Sequence, residues 1–405
     1  MTKNRFIISG GGTGGHIYPA LSIANEINKS FDNPEIKFIG ARGKMEMNII
    51  PKYGYKIHGL LISGLQRSFT LKNILLPFKL IISLVQSIII ILSFRPNFVV
   101  GTGGFASFPV VFVSSIFRIP TLIQEQNSFP GISNRLLSKY TNYISVAYDK
   151  MEKYFPSQKI YKTGNPIRES IRSYKNLVNQ RKKLNIKESM TVIAVLGGSL
   201  GSDKINKTIR ESIRSNKNLV NQRKKLNIKE SMIVITVLGG SLGSDKINKT
   251  IRENIEFLIS KNIFIIWQCG KSYYNDYKSF NSDKIFVTDF IEDIDSIYFT
   301  SDIIIARSGA LTLSELAIVS KPSILIPSPN VAEDHQLKNA KSIEEKDACI
   351  CIEEKDLDLI FKSKMDLILN DKNLRDDLSY NMSKIAMPNA SFDIVDLIKK
   401  HLKND

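Results

Sequence analysis

The residues best suited to chemistry stand in a few short clusters. The first is Gly10-Gly-Gly-Thr-Gly-Gly-His-Ile-Tyr-Pro19. Its glycines let backbone N–H groups crowd together without Cβ clashes. His16, within it, carries a ring that titrates near neutral pH and can take a proton. A second glycine turn is Gly101-Thr-Gly-Gly104, and a polar cluster follows at Gln124-Glu-Gln-Asn127. Further on, Arg307-Ser-Gly-Ala-Leu-Thr-Leu-Ser-Glu315 places small and hydroxyl residues ahead of a carboxylate, and Glu333-Asp-His-Gln336 forms a polar loop. The first turn looks built to approach an anion or a polar ligand closely.

The elements around these clusters explain their placement. Phe6-Ile-Ile-Ser9 reads as a strand and Ala20 to Ile27 as a helix, so the first cluster is a strand–turn–helix junction. The helix directs its positive end at whatever rests on the turn. Pro19 is expected in the first helical turn, where no intrahelical N–H is needed. Gly10, Gly12 and Gly15 also satisfy the dinucleotide pattern GxGxxG. That pattern wants an acid at the end of the next strand, but Ile36-Lys-Phe-Ile39 ends in Gly40-Ala-Arg42. An NAD(P)-linked oxidoreductase is therefore the weaker alternative. Asn97 to Val100, Pro120 to Ile123, Asp302 to Ala306 and Pro322 to Pro327 read as further strands. Alternation of strands with helices predicts α/β domains with parallel sheets. Polar residues just past strand ends lie where such sheets bind ligands.

A length of 405 residues predicts two domains, and 43% hydrophobic with 23% charged residues predicts substantial cores. The net charge of +17 admits an anionic membrane, a phosphate-rich substrate or compositional drift; no nucleic-acid-binding motif is present, and no nucleic acid partner is expected. Cys269, Cys349 and Cys351 make neither a disulfide framework nor a metal set, and the chain starts directly in a strand, so a cytoplasmic setting is expected. From Leu80 to Phe94 there is no charge. A buried helix is one reading of this stretch. The other is a helix exposed to a membrane surface, with Arg67, Lys72 and Lys79 on anionic head groups.

Residues 170–211 recur as 212–253 with only three of 42 positions changed: Tyr174/Asn216, Thr191/Ile233 and Ala194/Thr236. Two units are too few for a solenoid. One copy suffices to open a second α/β domain, and the other is expected as an insertion or an extra strand–helix pair. The expected organisation is 1–168, a first α/β domain; 169–211, the added unit; 212–385, a second α/β domain; and 386–405, a helix returning to the first domain.

Taken in order, these segments resemble the MurG-type N-acetylglucosaminyltransferases of bacterial peptidoglycan synthesis. The segments are Gly10 to Pro19, Gly101 to Gly104, Glu125 to Asn127, Gly164-Asn-Pro-Ile-Arg168, Gly-Gly-Ser twice, Phe290-Ile291, Arg307 to Glu315, and Asp334-His-Gln336 with Asn339-Ala340. The resemblance implies two Rossmann-like domains in the GT-B arrangement, parallel sheets facing a cleft. It implies a UDP-N-acetylglucosamine donor and, as acceptor, undecaprenyl-pyrophosphoryl-N-acetylmuramoyl-pentapeptide (lipid I) at the cytoplasmic face of the inner membrane. The product is lipid II, with inversion at the transferred sugar. Neither a metal nor another cofactor is expected. Other cell-wall synthesis and division proteins are further expected partners.

Carried over residue by residue, the resemblance places Ala310, Leu311, Thr312, Leu313, Ser314 and Glu315 along the donor, with Glu315 on the ribose. Arg168 and the Ile291 backbone fall on the uracil side. Asn127 and Gln336 meet the sugar hydroxyls. A Gly-Gly-Ser serine meets a phosphate; Ser241 is the preferred copy over Ser199, because it keeps the downstream connectivity. His16 is the candidate base, with Glu125 the second candidate. Thr13, Gly14 and Gly15 would contact sugar or acceptor phosphate, and Gly103 and Gly104 the lipid pyrophosphate. A sugar-nucleotide-binding protein disabled by the duplication is the remaining alternative.

Overall fold

The computed structural model describes residues 4–64, 76–173, 192–196, 233–238 and 244–404, apart from 262, 283, 292 and 293. The chain divides into two compact units, Met1–Arg168 with Met387–Asp405, and Glu169–Ala386. Each carries a seven-stranded sheet in which the described pairings are parallel.

In the first unit the strands are β1 (Arg5–Ser9), β2 (Glu35–Ala41), β3 (Lys56–Leu60), β4 (Phe98–Gly101), β5 (Thr121–Glu125), β6 (Tyr143–Val146) and β7 (Ile160–Lys162). Their order is β3-β2-β1-β4-β5-β6-β7. Parallel strands are covered on both faces and so need near-continuous apolar sequence. Phe6-Ile-Ile8 and Phe98-Val-Val100 meet that need, and all six residues are fully buried. The order reverses between β1 and β4, which pair from Phe6↔Phe98 to Ser9↔Gly101. The turns leaving those two strands are therefore neighbours. Helix Gly14–Ser30 covers the sheet through Ile17, Leu21, Ile23, Ala24 and Ile27. Helix Ala390–Asn404 joins the same core through Ile394, Val395 and Ile398, and Tyr143 Oη meets His401 Nδ1 at 2.9 Å.

Helix Leu76–Phe94 departs from the buried reading. It packs on helix Ser107–Ile116 and buries Ser83, Ser87, Ile90, Ile91 and Phe94. Its opposite face leaves Phe78, Ile81, Val85, Ile89 and Leu92 about half exposed or more. An apolar stretch signals burial from water, and the sequence alone cannot say whether protein or lipid supplies the cover.

The second unit contains β8 (Val192–Leu196), β9 (Ile233–Leu238), β10 (Ile263–Gln268), β11 (Ile285–Thr288), β12 (Ile303–Ala306), β13 (Ser323–Leu325) and β14 (Ile350–Cys351), ordered β11-β10-β9-β8-β12-β13-β14. Each duplicated copy contributes one strand. β8 and β9 pair in parallel with Val192↔Val234, Ile193↔Ile235 and Ala194↔Thr236, so each residue faces its own duplicate. Among the described residues, the first copy thus places a strand within the sheet, where the strand order reverses. The helix of the second copy, Asp245–Glu253, is integrated into the core. Its Asn248 accepts from Trp267 Nε1 at 2.9 Å and donates to the Cys269 carbonyl at 2.9 Å.

Candidate active site

In unit 1 the candidate residues are gathered by the β1–β4 pairing. Gly10 lies against Thr102, where a Cβ would come within 2.0 Å of Thr102 Oγ1. Gly104 has φ +79°, and a Cβ there would stand 2.4 Å from the Gly11 carbonyl oxygen. The two glycine turns are therefore in backbone contact, and their glycines are required by that proximity. Thr102 Oγ1 donates to the His16 carbonyl at 2.9 Å and fastens them together. Helix Gly14–Ser30 begins on the first turn, with Thr13 in extended conformation ahead of it. The N–H groups of Gly14 and Gly15 have no intrahelical acceptor at that end. The early start puts Pro19 beyond the first turn expected for it, so the Gly15 carbonyl lacks its usual donor.

His16 Nδ1 lies 3.0 Å from the Thr102 carbonyl and 3.2 Å from Gln126 Oε1. Two acceptors on Nδ1 make it the protonated nitrogen of the neutral ring. The lone pair then sits on Nε2.

Glu46, which the sequence analysis passed over, is fully buried below the first turn. Its carboxylate accepts from Gly12 N at 2.9 Å and from Ala41 N at 2.8 Å, tying the turn to the end of β2. A Cβ at Gly11 would meet Glu46 Oε1 at 2.1 Å, and one at Gly40 would meet Glu46 Cγ at 2.5 Å. The glycines at 11 and 40 were the available signal.

Glu125, the second candidate base, stands at the end of β5. It is buried, and its carboxylate accepts from Asn127 N (3.0 Å), Asn127 Nδ2 (3.3 Å), Gly131 N (3.1 Å) and Asn134 Nδ2 (2.8 Å). Desolvation by burial raises its proton affinity, against the pull of those donors. Engaged on all sides, it orders the 127–134 loop, and Asn127 is held by it.

In unit 2 the candidate residues centre on helix Ala310–Val319, which starts after Gly309. Ser308 Oγ donates to the Gln336 carbonyl at 2.7 Å, and Gln336 Oε1 accepts from Ser328 N at 2.9 Å, so Gln336 is drawn onto the helix-start turn. Glu315 is 7% exposed and accepts from Tyr298 Oη at 2.8 Å. Arg307 is nine-tenths buried and pairs with Glu354 at 2.6 Å. It also donates to the carbonyls of Ile326 and Pro327, and to Ser244 Oγ at 2.6 Å. Ser244 caps the helix of the second copy and accepts from Ile247 N. That copy is thereby tied to the turn that leads into the Ala310 helix. Ile291 donates its N–H to Gln268 Oε1 at 2.8 Å, and Arg168 is partly exposed at the end of unit 1. Ser199 and Ser241 lie outside the described residues.

Comparison with known proteins gives a consistent result. The glycosyltransferase family 28 N-terminal domain matches residues 6–146, and the family's C-terminal domain matches residues 234–398. The second match opens within β9 and so takes in the second copy from Val234 onward. The UDP-N-acetylglucosamine–N-acetylmuramyl-(pentapeptide) pyrophosphoryl-undecaprenol N-acetylglucosamine transferase of Flavobacterium psychrophilum is 47% identical over 402 residues, covering 99% of this chain and 98% of that protein. Its counterpart in Christiangramia forsetii is 41% identical, with 99% and 98% covered. Among solved structures, Acinetobacter baumannii MurG superposes with a TM-score of 0.68 at 23% identity, covering 98% of this chain and 100% of that one. A UDP-GlcNAc 2-epimerase from Neisseria meningitidis bound to UDP-GlcNAc gives 0.61 at 15% identity, with 98% and 100% covered.

Proposed function

The chain belongs to glycosyltransferase family 28, and we infer from that premise that it is the peptidoglycan N-acetylglucosaminyltransferase of its cell. It moves N-acetylglucosamine from UDP-GlcNAc to lipid I and so makes lipid II. The observation that carries this reading is the 47% identity to a transferase of that name across 99% of the chain. The NAD(P) alternative falls with it, and the fold is the two-domain Rossmann-like GT-B type.

In the reaction, the acceptor hydroxyl oxygen bonds to the anomeric carbon as the bond from that carbon to the UDP oxygen breaks. The acceptor proton passes to a base, and the bonding electrons leave on UDP. We assign the base to His16, whose tautomer places a lone pair on Nε2. Gly14, Gly15 and Thr13 at the helix start, with Gly103 and Gly104 beside them, are the groups offered to the acceptor's pyrophosphate and sugar. On the donor side, the start of helix Ala310–Val319 offers backbone N–H groups to the leaving diphosphate. Glu315, steadied by Tyr298, accepts from the ribose. Gln336 and Asn127 meet sugar hydroxyls, and Arg168 and Ile291 meet the uracil. Of the two serines, Ser241 is the phosphate contact; the bond from Arg307 to Ser244 supports that choice.

The acceptor is a membrane lipid, and the exposed face of helix Leu76–Phe94 is suited to its surroundings. Its apolar residues would lie in the interfacial region of the inner membrane's cytoplasmic face, with the protein's net charge of +17 attracted to anionic head groups.

The test is transfer of labelled N-acetylglucosamine from UDP to a lipid I analogue, with EDTA present. Labelled product is expected. Absence of product while UDP still raises the unfolding temperature would leave only a nucleotide-sugar-binding protein. Absence of both would remove the assignment.

A further inference from the structure

Behind His16 lies a ring of buried amides to which the reaction above gives no task. Gln124 is fully buried, and Gln126 and Asn165 nearly so. Such groups are tolerated in a core only when their polar atoms are met. Gln124 Nε2 donates to Asn165 Oδ1 at 2.9 Å, and Asn165 Nδ2 donates to the Gln126 carbonyl at 3.1 Å. Gln126 Nε2 donates to the Thr102 carbonyl at 2.6 Å and to Gln124 Oε1. These bonds fix which way the Gln126 amide points. Turned over, its oxygen would face the Thr102 carbonyl and Gln124 Oε1, two acceptors. Held as it is, its oxygen faces His16 Nδ1.

We propose that Gln126 is a positioning residue for catalysis: its buried amide, locked by Gln124 and Asn165, holds His16 with the proton on Nδ1 and the lone pair on Nε2. The proposal rests on the reading of His16 as the base. Gln124, in β5, and Gln126, just past its end, meet through their side chains, while Glu125 between them turns to the 127–134 loop. The ring is thus oriented by two neutral oxygens, from Gln126 and Thr102, and the nearby carboxylate is turned elsewhere. A neutral orienter fixes the tautomer without stabilising the charged ring in the resting enzyme. That keeps the base available beside turns that must also receive an anionic acceptor.

The experiment is long-range proton–nitrogen NMR of the histidine rings in the full-length protein, with His16 assigned by its disappearance in His16→Gln. The wild-type ring is expected to show the Nδ1–H pattern. Gln126→Met, which keeps the bulk and removes the acceptor, should give a mixed pattern. Its kcat should fall about tenfold to a hundredfold with the KM for UDP-GlcNAc unchanged. A wild-type ring protonated on Nε2 overturns the proposal even if the variant does not fold. So does a Gln126→Met enzyme that keeps its kcat. Full turnover by His16→Ala would instead remove the reading of His16 as the base, whatever the tautomer.

Discussion

Glu315→Ala tests the proposed donor contacts most directly. The wild-type carboxylate is 7% exposed and held at 2.8 Å by Tyr298 Oη. Its assigned role is to accept from both ribose hydroxyls. A hydrogen bond to a charged acceptor contributes about 1.5 kcal/mol at the low end of its range, so two contribute about 3 kcal/mol. At about 1.4 kcal/mol per tenfold, UDP affinity should fall about a hundredfold. Tyr298→Phe removes only the bond that steadies the carboxylate, at a cost of about 1 kcal/mol, and affinity should fall about fivefold. Titration calorimetry with UDP reads both. The same titration with 2′-deoxy-UDP separates recognition from general damage. Wild type should prefer the ribonucleotide by about tenfold, and Glu315→Ala should not discriminate. An alanine variant that binds UDP as tightly as wild type, or keeps the ribose preference, refutes the reasoning.

Three further outcomes follow from the site as described. His16→Ala should lower turnover by at least about a hundredfold while UDP affinity stays within about twofold, as steady-state kinetics and calorimetry would report. Replacing Ser199 and Ser241 by alanine separately should weaken UDP binding only for Ser241; equal effects would show that both copies serve, and no effect from either would remove the phosphate assignment. In Glu125→Gln an amide NH₂ would face N–H donors, costing about 1–3 kcal/mol of stability in urea unfolding. Burial raises the folded-state proton affinity of Glu125, so its contribution to stability is fullest at acid pH and is lost as pH rises through the raised value. The glutamine variant should lack that component.

The strands and the turns between them were legible because their sequences leave little choice. Phe6-Ile-Ile8 and Ile303-Ile-Ile305 fit only a covered strand or helix, and the glycines that follow Ser9 set the length. Family-level resemblance then pointed to helix Ala310–Val319 and Glu315 as the proposed donor contacts. The supporting residues were harder to read. Glu46 sits at a helix start where a solvated acid is commonplace; its burial depends on a glycine turn distant in sequence. Gln126 looks like any loop amide until β1 and β4 pair and bring Thr102 and His16 to it. Tyr298 gives no local sign of its bond to Glu315. In each case the information lies in a contact between segments far apart in the chain. The exposed face of Leu76–Phe94 escaped for another reason, since hydropathy measures aversion to water and not what replaces it.

The pairing of β8 with β9 sets a rule for changes in chain length. The repeat spans 42 positions, and the two strands align Val192 with Val234, the same offset. Losing one copy would therefore bring the surviving strand against both β10 and β12 with every partner unchanged, Ile235 standing where Ile193 now faces Ile303. Most insertions into a sheet shift register and turn side chains to the wrong face. This one advances the sheet by a whole strand, as a tile added to a row. Deletion of residues 170–211 should return a shorter protein that folds with the same core and transfers sugar. Gain or loss of the unit should therefore leave the pairing of the other strands unchanged.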